Sequence, residues 1–527
     1  MNNLIRIEEI GLNLDEDEPQ LKDKIAEILA LPKSEIIDYK IVKKAIDSRK
    51  KSGILLVYSV DVKMKDESLI KDWSARHRTR LQTPYVYEIK SAKPLSKRPI
   101  VVGSGPSGLF AALALATAGL KPLLIERGQD VDSRLKAVDL FFKAGTLNPE
   151  SNIQFGEGGA GTFSDGKLYT LINDPRSNYV FSEFVAAGAP SEILTSATPH
   201  IGTDKLRQVV KNIRHKIIEL GGEVRFNTAL TDLEIKDNKL VAAIFNKSER
   251  IETDNLVLAT GHSARDTYEM LYKHQVEIIA KPFAIGLRIE HLREDINKAQ
   301  YGNFWNHPKL GTAKYKLVEH VEGERSVYTF CMCPGGLVIA AASEEGGVVT
   351  NGMSYYTQAG NNSNSALLVP VMPSDFGSDS PLAGLEFQRF WEKKAYEAGG
   401  SNYCAPAQLV GDFLASRPSS KFGRIKPTYL PSVKLTSLDS CLPDYIISSL
   451  KKALPLLARK INGFADPEAL LTGIETRSSS PVRLIRNDKC QSNILGLYPC
   501  GEGAGYAGGI VSSSIDGLSV AEAIINN

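Results

Sequence analysis

Three groups of residues in this sequence have types and spacing suited to chemistry. Cys331 and Cys333 lie two apart in Phe330-Cys-Met-Cys-Pro-Gly-Gly336. Alternate residues of a strand share a face, so the two thiols can form a redox pair, although free cysteine is also a common core residue. Thr476-Arg-Ser-Ser-Ser-Pro-Val-Arg483 sets Arg477 and Arg483 around a hydroxyl-rich turn. Two guanidinium groups there suit an anionic ligand, and structural ion pairing is the competing reading. His262 follows Ala259-Thr-Gly261 and could donate a proton, or simply cap the segment after it.

Such groups need a frame, and the clearest one runs from Arg98 to Ala116: Arg-Pro-Ile-Val-Val-Gly-Ser-Gly-Pro-Ser-Gly-Leu-Phe-Ala-Ala-Leu-Ala-Leu-Ala. It reads as strand, glycine turn and helix. Gly103, Gly105 and Gly108 have the G-x-G-x-x-G spacing. Gly103 permits the tight turn, Gly105 lets backbone approach a pyrophosphate, and Gly108 lets helix and strand pack closely. Ser104, Pro106 and Ser107 complete the turn, and the helix start offers free N–H groups to phosphate. A second strand, Leu120 to Ile125, delivers Glu126 at about the 20-residue spacing of a ribose-binding carboxylate. Arg127 and Arg134 follow it and are expected cofactor contacts as well. Together these predict a dinucleotide site, with a glycine-rich crossover in another α/β protein as the alternative.

A second glycine-rich stretch, Gln154 to Leu168, has no β-branched strand before it and is not a second nucleotide turn. Its Gly158, Gly159, Gly161, Thr162, Ser164 and Asp165 suit a loop lying against a flat ligand, or a surface loop. Thr203 to Leu220 has the apolar spacing of an amphipathic helix. Strands are expected at Glu223 to Phe226, Leu230 to Ile235 and Leu240 to Phe245, then Asn255 to the Ala-Thr-Gly ending with Thr260 and Gly261. Near the C-terminus, Leu497 to Ile510 is again a strand entering a glycine loop, followed by a helix from about Ser512 to Ile525. The sequence stops at Asn527 without a second strand and acid, so this piece is expected to close the first sheet.

Composition bounds the rest. The 527 residues call for several units, and 43% apolar with 24% charged residues is ordinary for a soluble globular protein. A net charge of +2 supplies no global field for nucleic acid or anionic membrane. There is no signal-peptide pattern and no apolar run of about 18 residues, so a cytoplasmic protein without a membrane span is expected. Six scattered cysteines give neither a disulfide framework nor a C-x-x-C zinc signal. Residues 1–85 read as a small α+β unit. The basic run Lys40 to Lys51, with Lys43, Lys44, Arg49 and Lys50, is expected between two of its strands. A charge run of this kind is usually a solvated face, with a partner or RNA patch as the alternative. Residues 83–99 read as a linker.

Taken together, Gly103 to Glu126, Gln154 to Leu168, Val257 to Gly261, Phe330 to Gly336 and Leu497 to Ile510 resemble the uncharacterised FAD-dependent dehydrogenases. These are also labelled NAD(P)/FAD-dependent oxidoreductases, and the resemblance spans the whole chain. More distantly the layout is similar to flavin hydroxylases, fumarate reductases and geranylgeranyl reductases. The resemblance implies an α/β fold in which a Rossmann-type FAD-binding domain carries an inserted β-rich substrate or cap domain. Its implied pieces are the FAD domain at 86–275 and 487–527, the insertion at 276–486 and the small N-terminal domain. It implies FAD as cofactor, with Gly501, Glu502, Gly508, Gly509 and Ile510 at the flavin and Glu502 standing where the wider superfamily usually has Asp.

The implied function is an FAD-dependent oxidoreductase moving a hydride or two electrons to or from a small molecule. With no second complete dinucleotide fold, any NAD(P)H binds transiently at the flavin face. The alternatives are a flavin monooxygenase using NAD(P)H and O2, and a flavin-bearing RNA- or protein-binding factor acting through the N-terminal domain. Nucleic acid is the less expected partner. Within the insertion, Asn351 to Asn364 is expected to be a turn region or a substrate wall.

Overall fold

The computed structural model describes residues 4–66, 78–83, 86–170 and 172–526. A five-stranded parallel sheet lies under the glycine turn, in the order Leu497–Pro499, Leu256–Leu258, Ile100–Val102, Leu123–Ile125, Glu223–Arg225. The four strands other than Glu223–Arg225 are buried throughout, as strands covered on both faces must be. Ile100–Val102 is central, so the chain leaves the sheet at the glycine turn and enters the helix Pro106–Thr117. The C-terminal strand pairs with Leu256–Leu258, and the helix Ile510–Ile525 packs on the turn helix. A Cβ on Gly517 would fall 2.1 Å from the Ser107 carbonyl oxygen, so the two helices meet backbone to backbone.

Glu223–Arg225 forms the strand expected there. It extends the parallel sheet beside Leu123–Ile125. The antiparallel meander is Leu230–Lys236, Lys239–Phe245 and Glu249–Glu252. Gly221, at φ 88°, turns the chain back from the helix Thr203–Glu219 alongside that parallel edge.

Ile278–Ala280 pairs antiparallel with Val482–Leu484, and between them runs a seven-stranded sheet from Val318–Glu319 at one edge to Val433–Leu435 at the other. Its centre is Phe283–Leu292, flanked by Asn362–Val371 and Leu470–Glu475. Two long helices, Ala383–Gly399 and Asp444–Lys460, accompany this sheet. The strand Val327–Cys333 is irregular between Phe330 and Cys333, and Cys331 has φ 42°. The regular alternation expected for the two cysteines therefore fails at this bulge. The Asn351 to Asn364 stretch is also not simply a turn, because it contains parts of the strands Thr350–Met353 and Asn362–Val371.

The N-terminal unit is a four-stranded antiparallel sheet with the helix Leu21–Leu29 against it. Lys43 and Lys44 lie within the strand Ile36–Asp47, not between strands as expected. The Lys44 backbone pairs with Thr195 and Ala197, its ammonium bonds Glu18 at 2.9 Å, and Arg49 is paired with Asp47. Residues 86–99 are also more than a free connector. The Ala92 N–H bonds the Ala118 carbonyl, and the Tyr87 hydroxyl bonds Glu522.

Candidate functional site

The carboxyl ends of the parallel strands open into a cavity of about 750 Å³. Its walls come from the glycine turn, the second glycine stretch, Ala259 to Ala264, the C-terminal glycine loop and the inserted sheet. In an open α/β sheet this is where a ligand binds.

The glycines divide by job. A Cβ at Gly103 (φ 99°) would lie 2.3 Å from the Ala259 carbonyl oxygen, and one at Gly108 would lie 1.8 Å from the Gly103 carbonyl oxygen. Both are glycine because backbone packs against them. Gly105 lines the cavity, and a Cβ there would reach no protein atom nearer than the Gly159 Cα at 3.8 Å. Gly261 and Gly508 also line the cavity, and a Cβ on either would meet nothing within 4 Å. At Gly105 and Gly508 neither packing nor a positive φ calls for glycine, and a ligand lying against the backbone would; Gly261, at φ 72°, is in the left-handed region that favours glycine in any case.

Polar groups fit a dinucleotide in the same way. Glu126 lines the cavity and one of its oxygens accepts from the Ser104 N–H and hydroxyl, both at 2.8 Å. The other accepts the N–H groups of Gly128 and Gly156 at 2.9 Å, tying the first glycine turn to the second glycine stretch. Asp165 takes the Ser354 hydroxyl and the Gln358 amide on one oxygen, while its buried second oxygen has no partner among the described residues. Burial pushes the Glu502 carboxyl up to about 7, against the pull of Lys281. The helix Ile510–Ile525 starts at the cavity, with Gly508, Gly509 and Ile510 on the wall. These residues fit FAD: acceptors for hydroxyl and N–H groups, bare glycines for close approach, and two helix starts for negative charge.

Pro106, Ser107, Arg127, Gly159, Gly161, Ser164 and Thr260 also line this space. Several expected contacts do not. Ser104 and Gly108 act behind the surface, as described above. Arg134 is fully buried, and its guanidinium donates to the carbonyls of Asn152, Ile153, Gly156, Glu157 and Gly159. It shapes the second glycine stretch from behind, because only a five-donor fork can satisfy so many converging carbonyls. Gly158 and Thr162 pack on each other, since a Cβ on Gly158 would fall 2.0 Å from the Thr162 hydroxyl. Gly501, at φ 75°, is pressed against Ser107 and donates its N–H to Asp516 at 2.7 Å.

The chemical candidates also separate. His262 lines the cavity, but burial, together with Arg477 and Arg265, pulls its imidazole down to about 3. It is therefore neutral at physiological pH. Arg477 lines the cavity too, yet its guanidinium bonds Glu392 at 3.0 and 2.9 Å and the Ser343 hydroxyl at 2.5 Å. Glu392 is shared with Arg265, which makes this a buried structural network. Arg483 lies outside the cavity, against the Gly505 carbonyl and the Tyr506 ring. Cys331 lines the cavity; Cys333 is wholly buried behind it. Of the stretch expected as turn or substrate wall, Asn351 reaches the cavity, while Ser354 and Gln358 brace Asp165.

Sequence reasoning missed the lysines. Lys167, Lys314 and Lys316 come from two separate segments and line the cavity together with Glu475. Only Lys167, inside the second glycine stretch, carried a local signal. Glu475 is paired with the buried Arg288, and burial pushes its carboxyl up to about 7.

Known proteins bear on this geometry. Residues 282–478 match the family described as FAD-dependent protein, C-terminal domain-like, and residues 97–270 match pyridine nucleotide-disulphide oxidoreductase. Residues 4–63 match a domain of unknown function. A protein of Clostridium beijerinckii, described as uncharacterized, is 52% identical and spans 99% of this chain and 98% of its own length. Among solved structures, flavin-dependent brominase Bmp2, as a triple mutant, is 14% identical with a TM-score of 0.37, covering 82% of this chain and 80% of its own. L-proline dehydrogenase from P. horikoshii is 12% identical with a TM-score of 0.35, covering 83% and 94%. Likenesses this low bear on neither substrate nor mechanism. The sequence matches show that the chain belongs to the FAD-dependent dehydrogenase family, oxidoreductases built on a single Rossmann-type FAD domain.

Proposed function

We propose that the protein moves a hydride or two electrons through FAD, to or from a small anionic substrate held beside Lys167, Lys314 and Lys316. The observation that supports it is the sharing of one cavity by these lysines, the bare glycines Gly105, Gly261 and Gly508, and Glu502. Bound FAD supplies the two-electron chemistry.

The residues of the chain hold and orient. The turn Gly103 to Ser107 and the helix start behind it take the pyrophosphate, and Glu126 takes the ribose. Glu502 takes the ribityl hydroxyls, and Asp165 offers its free oxygen to an N–H donor. The N–H groups at Gly509 and Ile510 favour negative charge at the ring edge. Lys314 donates to the Thr198 hydroxyl at 3.0 Å, and burial lowers its proton affinity. A substrate anion beside it would raise that affinity again.

The test is anaerobic stopped-flow absorbance of the holoenzyme near ~450 nm, first with NADH or NADPH, then with candidate acids and their neutral amides, then with O2. The reading expects bleaching by a carboxylate or phosphate compound and none by its neutral counterpart, or the reverse flow from reduced flavin into the anion. Reoxidation by O2 with a hydroxylated product would replace it with the monooxygenase reading. Absence of flavin, together with salt-sensitive RNA binding, would replace it with the binding-factor reading.

A further inference from the structure

We propose that Cys331 and Cys333 form a second two-electron centre, a dithiol that closes to a disulfide and exchanges electrons with the FAD held in the same cavity. This rests on the reading that the cavity holds FAD.

The two sulfurs have different surroundings. Cys331 faces the cavity at the bulge, while Cys333 is wholly buried. The Cys333 thiol is in contact with that of Cys331 and also lies 3.3 Å from the Cys331 carbonyl oxygen. Arg288 donates to that same carbonyl at 2.9 Å, and the Lys167 ammonium bonds the Met332 carbonyl. Two cations and a thiol therefore clamp one tripeptide. The clamp holds Cys331 at φ 42°, in the left-handed region that residues with a side chain rarely adopt. Gly352 admits the pair: a Cβ there would fall 2.8 Å from the Cys333 sulfur and 2.5 Å from Arg288.

The environment assigns the roles. The Cys331 thiol is held well below its usual range by the hydrogen bond from Cys333, helped by Lys167 and Arg288. Cys333 is pushed well above it by that same contact and by burial. The pair is therefore biased toward thiolate at Cys331, the sulfur that faces the cavity, and toward thiol at Cys333, an asymmetry that favours exchange at the accessible sulfur. Cys331 also lies near enough to Glu502, beside the glycine loop, for its charge to favour protonation of that carboxyl.

In the reducing direction the S–S bond breaks and accepts two electrons and one proton, leaving the thiolate and the thiol. Reduced FAD, as its anion, gives up those two electrons and one proton and becomes oxidised. In the opposite direction oxidised FAD takes them back.

The holoenzyme is treated with stoichiometric diamide, desalted, and titrated anaerobically with dithionite while absorbance is followed. Wild type should take up about four electrons per FAD, and Cys333→Ser about two. Before reduction the peptide holding both cysteines should be about 2 Da lighter. Without any variant, brief iodoacetamide labelling at mildly acidic pH should mark Cys331 before Cys441, Cys490 and Cys500. Burial raises all three of those thiols, Cys441 to about 11. Uptake of about two electrons by wild type, with both cysteines still alkylated after diamide, would overturn the inference while leaving FAD in place. Absence of FAD from the spectrum would instead remove the reading beneath it.

Discussion

The Arg134 guanidinium donates a 2.9 Å hydrogen bond to the carbonyl oxygen of Gly159, whose own Cβ, if it had one, would lie 3.0 Å from the Gly105 Cα. One buried side chain thus fixes the distance between the two glycine segments that enclose the cavity. Arg134→Met should strand the carbonyls that now converge on the guanidinium. We expect a loss of about 3 kcal/mol or more in urea unfolding, together with loss of bound flavin. A variant that kept both its stability and its flavin would show that the second glycine stretch holds its shape without Arg134.

The glycines offer a sharper separation of folding from binding. Gly103→Ala must place a Cβ against the Ala259 carbonyl at positive φ, and should destabilise the apoprotein by about 2 kcal/mol or more. Gly508→Val has open space and no positive φ, so apoprotein stability should move by no more than about 0.5–1 kcal/mol. Its FAD affinity should fall at least about tenfold, equivalent to 1.4 kcal/mol. Thermal melts of apoprotein and titration calorimetry with FAD read the two effects. Equal losses in both variants would contradict the assignment of Gly508 to ligand contact.

Much of the frame was legible because backbone geometry leaves few alternatives. Gly103, Gly105 and Gly108, with a strand before and Glu126 after, specify turn, helix and second strand together. The inserted sheet was legible only as β-rich, because the positions of its strands depend on long-range pairing. The bulge at Cys331 was not legible at all. It arises where clamps from Arg288 and Lys167 meet one strand, and both come from distant segments. Arg483 and Arg134 misled for one physical reason: a guanidinium near a glycine loop serves backbone carbonyls as readily as a ligand. Lys314 and Lys316 reach the site through folding alone.

Glu502 makes apoprotein stability depend on pH. Its carboxyl is raised from 4.5 to about 7, so the folded chain keeps a proton that the unfolded chain has already released. Stability from this group is present below about 4.5 and declines as pH rises to about 7, by on the order of 1–3 kcal/mol. Glu475 contributes with the same sign. Glu502→Gln should therefore flatten part of the fall seen in urea unfolding between pH 5 and 8. An unchanged slope would mean that Glu502 is ionised in the fold.

His262 should matter little as a proton donor. Because burial keeps its ring neutral, His262→Asn should leave the pH profile of flavin reduction between pH 5 and 8 unaltered in shape. Loss of a limb in that profile would restore His262 as an acid.

The most direct measurement is the identity and amount of the cofactor released when the purified protein is heat-denatured, by chromatography and mass. The account predicts FAD, about one per chain in wild type and far less in Arg134→Met and Gly508→Val. Release of no flavin after reconstitution with FAD, or release of FMN or NAD in its place, would contradict it.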